Sequence, residues 1–300
     1  MAPENGRARH HVGMLGTGLM GSAMGRRLLG QGIEVIAWDH TAEHVSALEA
    51  AGAQVANSPA DVLASASTVI TMLPTVEIVL DVVEPLLPAW PEQVIWLQMS
   101  SVGADEADRL TRIAQEHHVA IVDAPVSGST HPAEEGHLTI LASGPDPMRE
   151  RLKPIFAALG SRVMWVGEAG MGSRLKLAAN HWMIASVTAV AETMHLCEAM
   201  GLDQQPFVEL LEGGPLGSAY IREKLLEMRS HHYPAGFPVR LALKDLELVG
   251  EVEAASASEM PFLNVARERC SLAAGEHGDE DLAAVYELGL QPRQSSGTSD

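Results

Sequence analysis

Three hundred residues leave room for two domains, each with a core of its own. A formal charge of −19 at pH 7 excludes the basic face that nucleic acid or an anionic membrane would need. No apolar run reaches the roughly 18–20 residues that span a bilayer, and Met1 to His10 lacks the apolar stretch of a signal peptide, so a cytoplasmic protein is expected. In chain order, strand patterns fall at Val12–Leu15, Ile33–Trp38, Thr68–Met72, Val94–Gln98, Val119–Asp123, His137–Leu141 and Val163–Val166. Helical spacing fills the gaps, at Ser22–Gly30, Glu43–Ala51, Ala104–Glu116 and Pro147–Leu159. This alternation predicts βαβ units and a doubly wound parallel sheet.

After Gly170 the strands stop. Ser173 to Met200 is a long helical pattern free of glycine and proline, and further helices are expected at Gln205–Glu212, Ala219–Ser230, Val239–Ala255, Phe262–Ala274 and Glu280–Glu287. The expected division is therefore a tail at 1–10, a βαβ domain at 11–169, an all-helical domain at 170–290 and a tail at 291–300. Cys197 and Cys270 lie in apolar helical patterns and read as buried, reduced thiols.

Between the first strand and first helix, Gly16-Thr17-Gly18-Leu19-Met20-Gly21 has the G-x-G-x-x-G spacing. Its glycines permit a tight turn, close approach of a pyrophosphate and close packing of helix on strand. The phosphate would face the open N–H groups at the helix start. The second strand ends in Asp39, where a carboxylate can hydrogen-bond ribose hydroxyls.

Three further segments are candidates for chemistry. Asp123-Ala124-Pro125-Val126-Ser127-Gly128 closes a parallel strand, where ligands of open α/β sheets bind; Ser127 and Gly128 suit a carboxylate, though an ordinary Pro-Gly loop reads the same. At the head of the long helix Lys176 and Asn180 share a face: a lysine can give a proton to a developing alkoxide while an amide orients the substrate. A solvated helix lysine has the same pattern, but the chain holds only four lysines, Lys153, Lys176, Lys224 and Lys244. Lys244-Asp245 in a later helix is a buried polar pair or surface charge. The histidine pairs His10-His11, His117-His118 and His231-His232 lack metal-ligand spacing, and no metal is expected.

Taken in order, Gly13–Gly21, Met72-Leu73-Pro74, Asp123–Gly128 with Ala133, Gly136 and Leu138, Gly170–Asn180 and Lys244-Asp245 resemble the β-hydroxyacid dehydrogenase family, whose members include 3-hydroxyisobutyrate dehydrogenase. The resemblance covers residues 11–290. It implies a Rossmann domain and a helical domain joined by a long helix, a nicotinamide cofactor, a small hydroxy acid or semialdehyde as substrate, and assembly as dimers or tetramers. It further implies Lys176 as the catalytic lysine, Asn180 at the substrate, and Ser127 and Gly128 as the carboxylate loop. Leu73, Pro74, Ser101 and Lys244 match positions that contact the dinucleotide.

The chain departs from the family at Ser129 and at His181-Trp182, which leaves substrate identity open. Where NADP-dependent relatives carry Asn-Arg-Thr it has Asp39-His40-Thr41; the carboxylate would repel a 2′-phosphate and no arginine receives it, which favours NAD over NADP. Imine reductases share the architecture but replace the lysine, so Lys176 favours a carbonyl or alcohol substrate; a non-catalytic interaction module would have lost it. The long helix, about 40 Å at 1.5 Å per residue, is apolar on most faces, including Leu175, Trp182, Ile184, Val187, Met194, Leu196 and Met200. Such a helix must be covered all round, so a homodimer or a tetramer is expected.

Overall fold

The computed structural model describes residues 11–289, and the tails expected at 1–10 and 291–300 lie outside the described residues. The first half alternates as read: β1 (Val12–Leu15), α1 (Leu19–Gly30), β2 (Val35–Trp38), α2 (Ala42–Ala50), β3 (Gln54–Val55), α3 (Pro59–Ser65), β4 (Thr68–Thr71), α4 (Val76–Val83), β5 (Ile95–Gln98), α5 (Ala104–Glu116) and β6 (Ala120–Asp123). These strands form one six-stranded sheet in the order β3-β2-β1-β4-β5-β6, every neighbouring pair parallel. Leu15 lies opposite Trp38 and Thr71, Thr71 opposite Gln98, and Gln98 opposite Asp123, so the carboxyl ends of these strands line one edge.

Both faces of the sheet are covered, which is why its strands are apolar without alternation. One core joins the sheet to Met24, Leu28, Leu152, Ile155 and Phe156; the other joins it to Val62, Leu63, Val79, Leu80, Leu110 and Ala114. Local signals set the helix starts. Ser58 accepts the Asp61 N–H ahead of α3, with Pro59 in its first turn, and Thr75 accepts the Ile78 N–H ahead of α4.

The strands expected at His137–Leu141 and Val163–Val166 do not extend this sheet. With β7 (Val126–Ser127), α6 (Thr130–Glu135), β8 (Leu138–Ala142), α7 (Pro147–Leu159) and β9 (Gly160–Trp165), they make a second sheet in the order β7-β8-β9. After Asp123 the chain turns through Pro125, whose carbonyl accepts the Leu141 N–H at 2.9 Å, and β7 runs antiparallel to β8. A single bridge, Asp123 with Ser143, ties this second sheet to the end of β6.

The remaining helices are α8 (Met171–Ala199), α9 (Gln205–Gly213), α10 (Ala219–Ser230), α11 (Val239–Ser256) and α12 (Pro261–His277). The segment expected as a helix at Glu280–Glu287 is a 3-10 turn, Leu282–Leu288, whose first N–H groups are met by Asp281. The chain divides into two compact units between Leu177 and Ala178, inside α8. The helical unit buries Ile184, Val187, Met194, Leu225, Met228, Leu246 and Leu263, and both cysteines are buried and unbridged.

Candidate active site

The glycine turn is built by contacts that leave no room for side chains. Gly16 has φ +97°, and a Cβ there would lie 2.3 Å from the Met72 carbonyl oxygen; one on Gly21 would lie 2.1 Å from the Gly16 carbonyl oxygen. Gly18, by contrast, is exposed and faces open space, and it begins α1 with no side-chain cap and no acidic residue in the first turn. The uncapped N–H groups and the positive end of α1 therefore remain open to an anion. Leu19 is exposed and Met20 half-buried beside it. The residues present fit a dinucleotide pyrophosphate.

Asp39 braces this turn. Its Oδ2 accepts the Thr17 N–H at 2.7 Å and the Thr17 hydroxyl at 3.3 Å; its Oδ1 accepts the Thr41 N–H at 2.9 Å and lies 3.3 Å from His44 Nδ1. Burial pushes the carboxyl up, but the Thr17 and Thr41 N–H bonds and His44 outweigh it and hold Asp39 below the usual range. Thr17 itself is buried and accepts the Ser22 hydroxyl on its carbonyl at 2.6 Å. His40 is exposed. The sequence reading missed His44 and the link from Asp39 to the turn, because both depend on contacts across the fold.

The next strand ends carry a buried polar lattice. Ser100 accepts the Leu73 N–H at 2.8 Å, Gln98 accepts the Thr71 hydroxyl at 2.8 Å, and Trp96 donates to Thr71 Oγ1 at 3.0 Å. The lattice fixes the turn that presents Leu73 and Pro74, half-buried and exposed respectively. Ser101 is half-buried, and it is its neighbour Ser100 that holds Leu73 in place.

At the end of β6, Asp123 meets the head of α8. Its Oδ1 accepts the Ser173 hydroxyl at 2.7 Å; its Oδ2 accepts the Ser173 N–H at 2.8 Å and the Ser143 hydroxyl at 3.2 Å. Burial pushes the Asp123 carboxyl above the usual range despite these donors. Gly172 makes the approach possible, since a Cβ on it would lie 2.1 Å from the Leu141 carbonyl oxygen. Arg174 clamps the same turn to α5 through both oxygens of Asp108, at 2.9 and 2.7 Å. Lys176 is half-buried one turn further on. Ser127 and Gly128 are exposed at the end of β7, Gly128 with φ +130°.

In the helical unit the structure joins two motifs that the sequence kept apart. Asn180 is buried and donates its amide to Asp245 Oδ2 at 2.5 Å, while Lys244 Nζ lies 3.1 Å from Asp245 Oδ1. Lys244-Asp245 is thus a polar pair of a buried carboxylate and a half-buried lysine rather than surface charge. His181 Nε2 is buried without a hydrogen-bond partner among the described residues. The sheet-bearing unit thus gathers the glycine turn, Asp39, Leu73, Pro74 and Ser101 along one sheet edge, whereas Asn180 and Lys244 meet in the helical unit. Among the described residues no group of three His, Cys, Asp or Glu side chains is placed for a metal, and no helix is long and apolar enough to cross a membrane.

An open glycine turn at the edge of a parallel sheet, followed by a lysine-bearing helix that leads into a helical unit, defines a dinucleotide-binding two-unit architecture. Residues 11–167 match the profile of the NAD binding domain of 6-phosphogluconate dehydrogenase. Residues 170–288 match that described as NAD-binding of NADP-dependent 3-hydroxyisobutyrate dehydrogenase. The chain is 32% identical over 280 residues to glyoxylate/succinic semialdehyde reductase 1 of Arabidopsis thaliana, covering 92% of this chain and 97% of that one. It is 30% identical to 2-(hydroxymethyl)glutarate dehydrogenase of Eubacterium barkeri, over 92% and 94% of the two chains. The structure of the Mycobacterium tuberculosis 3-hydroxyisobutyrate dehydrogenase with L-serine superposes with a TM-score of 0.86 at 26% identity, covering 93% of this chain and 98% of that one. The chain belongs to the β-hydroxyacid dehydrogenase family, which binds NAD or NADP.

Proposed function

We propose that this chain is an NAD-dependent oxidoreductase interconverting a small 3-hydroxy acid and its semialdehyde, with Lys176 as the acid–base group. The observation that carries the reading is the anchoring of the first turn of α8, one turn before Lys176, to the strand edge that also carries the open glycine turn. A nicotinamide dinucleotide, when bound, supplies hydride exchange with the substrate carbon. Gly16, Thr17, Gly18, Leu19, Met20 and Gly21 would hold its pyrophosphate, Asp39 and His40 its adenosine ribose, and Leu73, Pro74, Ser101 and Lys244 its remainder. Ser127 and Gly128 take the substrate carboxylate, and Asn180, braced by Asp245, orients the hydroxyl. Lys176 gives the oxygen its proton in reduction and removes it in oxidation.

Asp39 supports NAD over NADP: its carboxyl is held ionised, and a 2′-phosphate would bring like charge against it. The deciding experiment measures kcat/KM with both cofactors over short 3-hydroxy acids, semialdehydes and cyclic imines. Turnover of 3-hydroxy acids or semialdehydes with NAD is the expected result. A preference for NADPH overturns the reading of Asp39, and turnover of imines alone overturns the substrate class. Two buried, unbridged cysteines suit a reducing, cytoplasmic setting. In α8, Ile184, Val187 and Met194 are buried, whereas Trp182 and, just beyond the helix end, Met200 are each 63% exposed. A second copy of the chain covering that face, in a homodimer or a tetramer, would bury them. A mass near 32.0 kDa by light scattering would overturn this assembly.

A further inference from the structure

We propose that Asp123 is a positioning residue, which holds the first turn of α8 by Ser173 and thereby fixes where Lys176 stands; the inference rests on the acid–base reading of Lys176. Asp123 is 2% exposed and ends β6. Its two oxygens grip one residue of α8 at two points, the Ser173 hydroxyl on Oδ1 at 2.7 Å and the Ser173 N–H on Oδ2 at 2.8 Å. Ser143 completes the knot. Its hydroxyl donates to Asp123 Oδ2 at 3.2 Å and accepts the Gly172 N–H at 2.9 Å, and its main chain exchanges hydrogen bonds with Asp123 at 3.0 and 2.7 Å. The end of β6, the end of β8 and the head of α8 are thus joined by one buried carboxylate and one hydroxyl.

The grip falls on the face that matters. Gly172 and Ser173 stand four and three residues before Lys176, the spacing that puts side chains on one helix face. A helix advances about 1.5 Å and turns about 100° per residue, so a one-residue slip of this turn would swing Lys176 away from its place. Misplacing a reacting group by about 1 Å costs roughly 10²-fold in rate. A carboxylate accepts all three donors at once. In Asp123→Asn the amide oxygen can still take the Ser173 N–H, but the NH2 group accepts nothing, so the Ser173 hydroxyl has to turn from donor to acceptor and the grip on the head of α8 loosens.

The test is a double-mutant cycle with Lys176→Ala, Asp123→Asn and the pair, assayed with succinic semialdehyde and NADH. It is accompanied by NADH titration and by hydrogen exchange of the unliganded protein. Asp123→Asn is expected to lower kcat about 10–100-fold and to leave the NADH dissociation constant within about twofold. It should also raise exchange at the head of α8 selectively, and it should cost nothing further once Lys176 is Ala. Turnover in Asp123→Asn within about twofold of the parent, unchanged exchange at residues 171–177, or losses that multiply in the double variant would each overturn the inference. Near-normal turnover of Lys176→Ala would instead overturn the acid–base reading itself. Should Asp123→Asn fail to fold, Ser173→Ala, which removes only the 2.7 Å bond, replaces it in the same cycle with the same outcomes.

Discussion

In the sheet-bearing unit the buried carboxylate of Asp123 is held by hydroxyl and amide donors, and the partly buried Asp39 chiefly by backbone N–H groups. In the helical unit the buried carboxylates of Asp281 and Asp245, besides the N–H groups they accept, each also have a lysine beside them, as does the half-buried Glu227. Lys224 Nζ lies 2.8 Å from Asp281 and 2.9 Å from Glu227, and Lys244 lies 3.1 Å from Asp245. Of four lysines in a chain of charge −19, only Lys153 is an ordinary surface residue, with a side chain 71% exposed. Fixed donors hold a carboxylate in one geometry, and around the glycine turn that geometry is what a ligand site needs. An ammonium on a flexible stem neutralises charge with less directional control, which suffices where the carboxylate caps a turn deep inside a helical unit.

The largest break in that comparison is expected at Lys224, whose side chain is 3% exposed between Asp281 and Glu227. Asp281 is fully buried and holds the Phe237 N–H at 2.9 Å and the Ala283 N–H at 3.0 Å, so it fixes both the entry to α11 and the final 3-10 turn. Lys224→Met should leave that carboxylate buried and unpaired and should destabilise the helical unit by about 3–5 kcal/mol. Lys153→Met should stay within about 0.5 kcal/mol. Urea unfolding of the two variants side by side checks this; equal midpoints would show that Lys224 neutralises nothing of consequence.

The contrast between the units was only half legible in the sequence. The glycine turn, the strand–helix alternation of the first half and the long helix were readable because each is a local pattern: Gly16, Gly18 and Gly21 sit within one turn, and β1 is a run of buried residues. The strands β3 and β7 are two residues each, too short to carry any period. The departure of β8 and β9 into a second sheet depends on a reversal at Pro125 that no periodicity records. The roles of Asp123, Ser143 and Ser173 were hidden because their contacts span 20 and 50 residues of chain. Lys224 lies in no motif, and its partner Asp281 comes more than two helices later. Asn180 and Asp245 were each read, but not as partners.

A smaller effect sharpens the other side of the comparison. Asp39→Ala would strip the Thr17 and Thr41 N–H groups of their acceptor, and Thr17 is 1% exposed. An unmet buried donor costs about 1–3 kcal/mol, and here the loss falls on the glycine turn. The variant should bind NADH more weakly while discriminating less against NADPH, because the repelling charge has gone. Fluorescence titration with both cofactors measures this, and unchanged affinity for both would separate Asp39 from the turn. In the parent protein the bracing should fail only in acid. The Asp39 carboxyl is held below its ordinary value of 3.8, so its contribution to stability is complete above that value and is lost as pH falls beneath it.

The smallest effect distinguishes the units by the sign of their response to pH. Burial pushes Glu227 up to about 7; Lys224 pulls it down, but that lysine also serves Asp281, whose charge pushes Glu227 up again. In the unfolded chain a glutamate ionises near 4.5. Between these values the unfolded chain has released its proton and the folded chain has kept it, so stability falls as pH rises through the window and is level above it. Asp39 responds in the opposite sense and at lower pH. The Glu227 side chain retains 12% exposure, and solvent screens part of the effect. The expected loss between pH 5 and 7.5 is therefore about 1 kcal/mol, or roughly 2–4 °C in Tm for a protein of this size. Glu227→Gln cannot ionise and leaves the 2.8 Å pair of Lys224 with Asp281 in place, so its melting temperature should be flatter across that window. Parallel slopes for parent and variant would mean that Glu227 shares the cation without strain, and that the helical unit neutralises both of its carboxylates fully.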